Sequence, residues 1–193
     1  MRVLVLYAHP LPDSFAAAVH AAVLDGLRAA GHEVDDCDLY AEGFNPVLSA
    51  EERRDYHDPA LNRRLIDPYV QRVLRAEAMV LCFPVWCFGQ PAILKGFFDR
   101  VFIPEVSFRL ENGVAKPALT QIRHILGVTT YGRPWWTALL VGDPAKKSVT
   151  RYLRMLTGWR ARTRYLALRD MNRATPARRA GFLARVRDAA ARL

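Results

Sequence analysis

Short apolar runs recur along the chain, separated by segments of helical periodicity. Residues 2–7 and 78–83 are almost unbroken stretches of Val, Leu, Met and aromatic side chains. Continuous rather than alternating runs of this length predict strands buried on both faces. Residues 32–39 alternate around Val34 and Cys37, and residues 122–130 and 165–168 supply two further strands. Ser14 opens a helix in which Phe15, Val19, Val23, Leu24 and Leu27 return at three- and four-residue steps. Ser14 suits its N-cap and Gly31 its stop. Within the connection 41–58 a short helix is expected from Ser49. Further helices are expected over 67–75, 92–102 and 148–156, with a last one capped by Thr175-Pro176. Residues 84–91 are expected to be loop, and 108–115 an excursion that turns at Glu111-Asn112-Gly113. The strand–helix alternation predicts an α/β fold. It is a five-stranded parallel sheet of order 2-1-3-4-5 with right-handed crossovers and helices on both faces. Ligands of such sheets bind beyond the carboxyl ends of the strands, so the loops after strands one, three and four are expected to carry the chemistry.

The length of 193 residues suits a single domain over 1–193 with a full core. No run approaches the length of a membrane span, and the first apolar run reads as a core strand rather than a signal peptide. The three cysteines, Cys37, Cys82 and Cys87, are odd in number and lack metal or redox spacing. Free thiols in a reducing cytoplasm, and no metal site, are the expectation. Charge changes the picture more. The formal net charge is +9, and residues 144–193 hold 14 basic and only 2 acidic residues. Five arginines, Arg151, Arg154, Arg160, Arg162 and Arg164, crowd one stretch. Such a surplus reads as a surface for nucleic acid or membrane, as recognition of a phosphorylated small molecule, or as the bias of a chain with 24 Arg and 4 Lys. No groove-reading motif accompanies it, so a nucleic-acid role is not expected.

The first-strand loop, Ala8-His9-Pro10-Leu11-Pro12-Asp13-Ser14-Phe15, contains neither G-x-G-x-x-G nor a P-loop. It does set Ser14 and free amides at a helix N-terminus, an anion site to which His9 could add a donor. Plain capping by Ser14 with a surface His9 is the alternative. The third-strand loop, Pro84-Val85-Trp86-Cys87-Phe88-Gly89-Gln90-Pro91, is stiffened by two prolines, and Gly89 permits unusual dihedrals. Trp86 and Phe88 suit a flat apolar ligand, or else pack under a neighbouring loop or at an interface between copies. The fourth-strand loop brings Thr129, Thr130, Tyr131 and Gly132, followed by Trp135 and Trp136.

Several segments resemble the NAD(P)H quinone dehydrogenases of the flavodoxin-like fold. These are Tyr7-Ala8-His9-Pro10, Ser14-Phe15, Asp38-Leu39-Tyr40, Phe44-Asn45-Pro46, Phe83-Pro84-Val85-Trp86 and the long run from Pro91 to Phe102. The resemblance runs in register from strand one to strand four. It implies a flavin, FAD or FMN, with NAD(P)H as electron donor and a quinone-like acceptor. His9, Ser14 and Phe15 would contact the flavin phosphate. Pro84, Val85, Trp86, Cys87, Phe88 and Gly89 would line the isoalloxazine, with the amides at Trp86, Cys87 and Phe88 stabilising the reduced ring. Thr129, Thr130, Tyr131 and Gly132 would close the pyrimidine side. At the substrate cleft stand Phe108, Leu110 and Trp135. Trp135 and Val141 occupy positions where mammalian members carry Tyr and His, so no proton relay through those side chains is expected. The resemblance also implies a homodimer whose second copy roofs the cleft, and the aromatics Trp86, Phe88, Phe108, Trp135 and Trp136 agree with a covered surface. The alternatives are a flavodoxin-type one-electron carrier and a regulatory flavoprotein docking on a membrane transporter as a peripheral partner.

Overall fold

The apolar runs pair side by side in the computed structural model, which describes residues 1–193. Strands β1 (Arg2–Tyr7), β2 (Glu33–Asp38), β3 (Ala78–Val85), β6 (His124–Tyr131) and β7 (Arg162–Leu168) form one parallel sheet of order β2-β1-β3-β6-β7. In order of appearance these are the expected 2-1-3-4-5. The remaining strands, β4 (Phe108–Glu111) and β5 (Val114–Pro117), make an antiparallel hairpin outside the sheet. Asn112 and Gly113, with φ of 53° and 77°, form its turn, because two left-handed residues match the twist of the flanking strands.

Period-two side chains divide the core between the two faces of the sheet. Leu4, Leu6, Met79, Leu81, Phe83 and Ile125 pack under α3 (Asp67–Arg75) and α4 (Ala92–Val101). Val3, Val5, Tyr7, Val80, Cys82, Leu126 and Val128 pack under α1 (Phe15–Ala29) and α8 (Pro176–Ala191). Each fully buried Leu, Val or Phe contributes about 1.5–3 kcal/mol relative to exposure. The run from Pro91 to Phe102 is mostly core: Phe97 is fully buried, with its ring centroid 5.5 Å from Phe44 and 6.0 Å from Tyr69. A Cβ on Gly96 would stand 2.2 Å from the Pro46 carbonyl oxygen, so only glycine lets α4 lie this close to residues 44–46.

The short helix α2 (Ala50–Asp55) starts at Ser49 with a capping box to Glu52, as expected from Ser49. Several boundaries differ from the sequence reading; β6, for one, opens at His124 rather than Ile122 and runs to Tyr131. β3 continues through Pro84 and Val85, paired with Thr130 and Tyr131, so the loop begins at Trp86. β7 starts at Arg162, because its polar first half also pairs in register with β6. Residues 148–156, expected as one α-helix, are a π-helical turn, Ser148–Leu153, followed by the single turn α7 (Arg154–Leu156). Ahead of them lie α5 (Trp135–Leu140) and α6 (Pro144–Lys147), where the sequence reading gave a loop and no helix. The two open edges of the sheet are polar and opposite in sign. β2 carries Glu33, Asp35, Asp36 and Asp38, whereas β7 carries Arg162 and Arg164. No helix is long and apolar enough to cross a membrane.

Candidate functional site at the carboxyl end of the sheet

The β1–α1 loop ends in a capped helix. The Ser14 hydroxyl accepts from the Ala17 amide at 3.1 Å and donates to the Leu11 carbonyl at 2.8 Å, so both of its roles are taken. The amides of Phe15 and Ala16 find no acceptor within the chain and remain available at the positive end of a 15-residue helix. His9 is held by the Leu11 amide, which donates to its Nδ1 at 3.1 Å. Its ring centroid lies 5.8 Å from that of Trp86, which joins the first and third loops. Phe15 turns its side chain toward the core, and the Arg179 guanidinium from α8 sits 5.8 Å over its ring. Arg179 Nε and Tyr7 Oη are buried and have no hydrogen-bond partner. Burial pushes the Tyr7 phenol up to about 12, so it is a protonated donor.

After β3 the chain reverses in a two-residue turn. Trp86 N–H donates to Gly89 O at 3.1 Å, and Gly89 N–H to Trp86 O at 2.8 Å. The residues between them, Cys87 and Phe88, have φ of 49° and 61°. The unusual dihedrals therefore fall on these two side-chain-bearing residues, and Gly89 itself is not in the left-handed region. Left-handed conformations at non-glycine residues hold about 1–3 kcal/mol of strain each and persist where the surroundings enforce them. The Cys87 and Phe88 amides have no acceptor within the chain. Cys87 and Trp86 are exposed at the tip.

β6 runs on through Tyr131, and the side chains of Thr129 and Tyr131 at its carboxyl end belong to a buried relay rather than to a loop surface. Thr129 Oγ1 donates to Tyr165 Oη at 2.9 Å, and Tyr131 Oη donates to Asp143 Oδ1 at 2.6 Å. The two phenols lie 2.6 Å apart, and because the Tyr131 proton points to Asp143, Tyr165 is the donor between them. Arg169 closes the chain at 3.1 Å from Asp143 Oδ2, its guanidinium 5.0 Å over the Tyr131 ring. Burial, then the neighbouring Tyr165, raise the Tyr131 phenol far above its ordinary range, and burial pushes Tyr165 up to about 12. Thr130 is buried on the opposite face, and Gly132 faces Asn172 across a cavity of about 260 Å³.

The three residues expected at a substrate cleft do not share one cavity. Phe108 lines a cavity of about 380 Å³ with Tyr56, Phe98 and Tyr152. Trp135 lines a different one of about 610 Å³. Leu110 is exposed on the hairpin. Sequence reasoning missed Arg169 and Arg179, which lie in the Arg-rich final third and were read only as net charge. It also missed Asp143 and Tyr165. No spacing rule marks these four, since Asp143 caps α6, Tyr165 and Arg169 lie on and just after β7, and Arg179 lies on α8, so only the tertiary fold brings them to the loops.

Comparison with known proteins follows the same outline. A family model described as flavodoxin-like fold matches residues 1–159. The Escherichia coli protein YcaK, named an uncharacterized NAD(P)H oxidoreductase, is 26% identical over 168 residues, covering 82% of this chain and 77% of its own. NAD(P)H dehydrogenase [quinone] 1 of Rattus norvegicus is 29% identical over 147 residues, 68% of this chain and 54% of its own, so the chain spans about half the length of that relative. The solved structure of NAD(P)H:quinone oxidoreductase from Methanothermobacter marburgensis superposes with a TM-score of 0.84 at 27% identity, over 99% of this chain and 98% of that one.

Proposed function

This chain belongs to the family of flavodoxin-like fold proteins, and from that membership we propose that it is a flavin-dependent NAD(P)H oxidoreductase that passes two electrons to a quinone-type acceptor. The residues present fit such a cofactor. The free amides of Phe15 and Ala16, with the unpaired Arg179 Nε and Tyr7 Oη nearby, suit a phosphate. The turn at Cys87 and Phe88 offers two unpaired amides to the polar edge of a planar heteroaromatic. A bound flavin supplies the redox chemistry, taking hydride from NAD(P)H and returning the electrons to the acceptor. The chain's part is to hold, orient and shield. Trp86 and His9 border the ring's expected position. The buried Tyr131 and Tyr165 phenols stay neutral and fix the end of β6. Cys87 has no role in proton or electron transfer in this reading. The observation that carries the reading is the contact between His9 and Trp86, which sets an anion-ready helix terminus beside a strained amide-presenting turn at the ends of adjacent strands.

The unit acts over residues 1–193 as a homodimer in a reducing, cytoplasmic setting. Three free thiols support the setting, and the exposed α5, with Trp136 and Leu140 uncovered, supports a second copy. The test is the absorption spectrum of the purified protein. Oxidised flavin gives maxima near about 375 and 450 nm, and acid release with chromatography separates FMN from FAD. A colourless protein that takes up neither FMN nor FAD on reconstitution would overturn the reading.

A further inference from the structure

The cavity of about 610 Å³ between α5 and the π-helical turn is walled by two kinds of residue. Trp135 and Leu139, one helical turn apart on α5, are 63% and 66% exposed and present an apolar wall. Opposite them stand Lys146, Lys147, Arg151 and Arg169. The only carboxylate in the lining is Asp143, and it is already engaged by Arg169 and by the Tyr131 hydroxyl. Lys146, Lys147 and Arg151 form no ion pair anywhere in the chain. Arg169 also keeps a buried Nε without a partner. The π-helical turn has a part in this arrangement. It opens at Ser148 and carries Thr150 and Arg151 into the lining, directly after Lys146 and Lys147 at the end of α6. Like charges gathered on one concave wall repel unless an anion joins them.

An indole wall facing a cluster of unpaired cations has the chemistry of a nucleotide site, with the base on the aromatic and phosphate on the cations. The cavity is also joined to the proposed flavin loops. Asp143 in its lining is bonded to Tyr131, which pairs in register with Val85 at the start of the Trp86 turn. We infer that this cavity takes the phosphorylated adenosine end of the nicotinamide donor and that Lys146, Lys147 and Arg151 select NADPH over NADH through its 2′-phosphate; this rests on the oxidoreductase reading above. Arg is the usual partner of that phosphate in dinucleotide sites of other folds, and a bidentate guanidinium with two ammonium groups suits its charge.

The experiment is calorimetric titration of the purified, flavin-loaded protein with 2′,5′-ADP, with 5′-ADP and with inorganic pyrophosphate, none of which requires turnover. The expected result is that 2′,5′-ADP binds at least about tenfold more tightly than 5′-ADP, a difference of roughly 1.4 kcal/mol. The triple variant Lys146→Ala/Lys147→Ala/Arg151→Ala, its fold checked by circular dichroism, should lose that difference and lower the NADPH-to-NADH ratio of kcat/KM by a similar factor. Equal affinities for the two nucleotides in the unmodified protein would overturn the inference, whatever the variant does. So would pyrophosphate binding as tightly as 2′,5′-ADP, which leaves an anion site with no nucleotide preference. A preference for 2′,5′-ADP that survives in the folded triple variant would place the phosphate elsewhere. The two readings fail separately. A flavin-loaded protein that reduces quinone but shows no 2′-phosphate preference loses only this inference, whereas a cation-dependent preference in a protein that binds no flavin loses the oxidoreductase reading.

Discussion

Ser14 stands where the sequence predicts it, at the N-cap of α1. Its position as N-cap is legible from the sequence, yet the hydroxyl is spent on Leu11 and Ala17, so the anion-binding capacity belongs to the amides behind it. Ser14→Asp keeps a capping oxygen but sets a carboxylate beside the Phe15 and Ala16 amides, where it competes with and repels a phosphate. The variant is expected to purify folded and without flavin, and stoichiometric flavin in it would contradict the phosphate assignment. Cys87 is exposed at the tip of its turn, and no charged side chain pairs with it. Cys87→Ser is expected to keep quinone-reductase turnover within about tenfold, roughly 1.4 kcal/mol of barrier, in a steady-state assay. Tyr131→Phe removes the donor to Asp143 and leaves buried polar partners unmatched. A loss of about 1–3 kcal/mol in a denaturant titration is expected.

At the scale of elements, what was legible and what was not separates by the range of the physics. β1, β3 and α1 follow from local pattern, because unbroken apolar runs and a Ser cap need no distant partner to declare themselves. The split of residues 144–156 does not follow, since Lys, Ser, Val, Thr and Tyr there are compatible with an α-helix and only packing of Val149 and Leu153 against the sheet selects the π-helical turn. Likewise the left-handed turn sits on Cys87 and Phe88, where propensity favours glycine, because the bonds between Trp86 and Gly89 enforce it. The longest segment of family resemblance, Pro91 to Phe102, turns out to be interior packing, so its likeness speaks to architecture more than to chemistry. That packing is tight enough to test. Gly96→Ala would drive a methyl into the Pro46 backbone and ring, neither of which is a flexible chain end. Overpacking of this kind is expected to lower stability by about 1–3 kcal/mol, visible as a reduced denaturant midpoint.

For the whole molecule, the buried phenols set an alkaline limit. Burial raises Tyr7 and Tyr165 to about 12, above the value of an unfolded tyrosine. Between about pH 10 and 12 the unfolded chain gives up these protons while the native one keeps them, so unfolding becomes easier as pH rises. Stability is expected to be level from pH 7 to 9 and to fall above about 10. Denaturant midpoints at pH 8 and 11 check this, and equal midpoints would show that neither phenol is protected. The apolar face of α5 sets a second expectation. Sedimentation at micromolar concentration should give a dimer, and a fully active monomer would remove the second copy from the site.

The polarity of the two sheet edges bears on a different hazard. An unpaired strand edge is a template on which another molecule can continue the sheet, the route to edge-to-edge aggregation. Glu33, Asp35, Asp36 and Asp38 on one margin, and Arg162 and Arg164 on the other, make each margin repel its own kind. The acidic margin is also occupied from within, since Arg72 bonds Asp35 at 2.6 Å and His20 bonds Asp36 at 2.8 Å. The attraction that opposite margins would otherwise feel is therefore partly satisfied inside each molecule, and the open sheet is guarded against growing into a fibre.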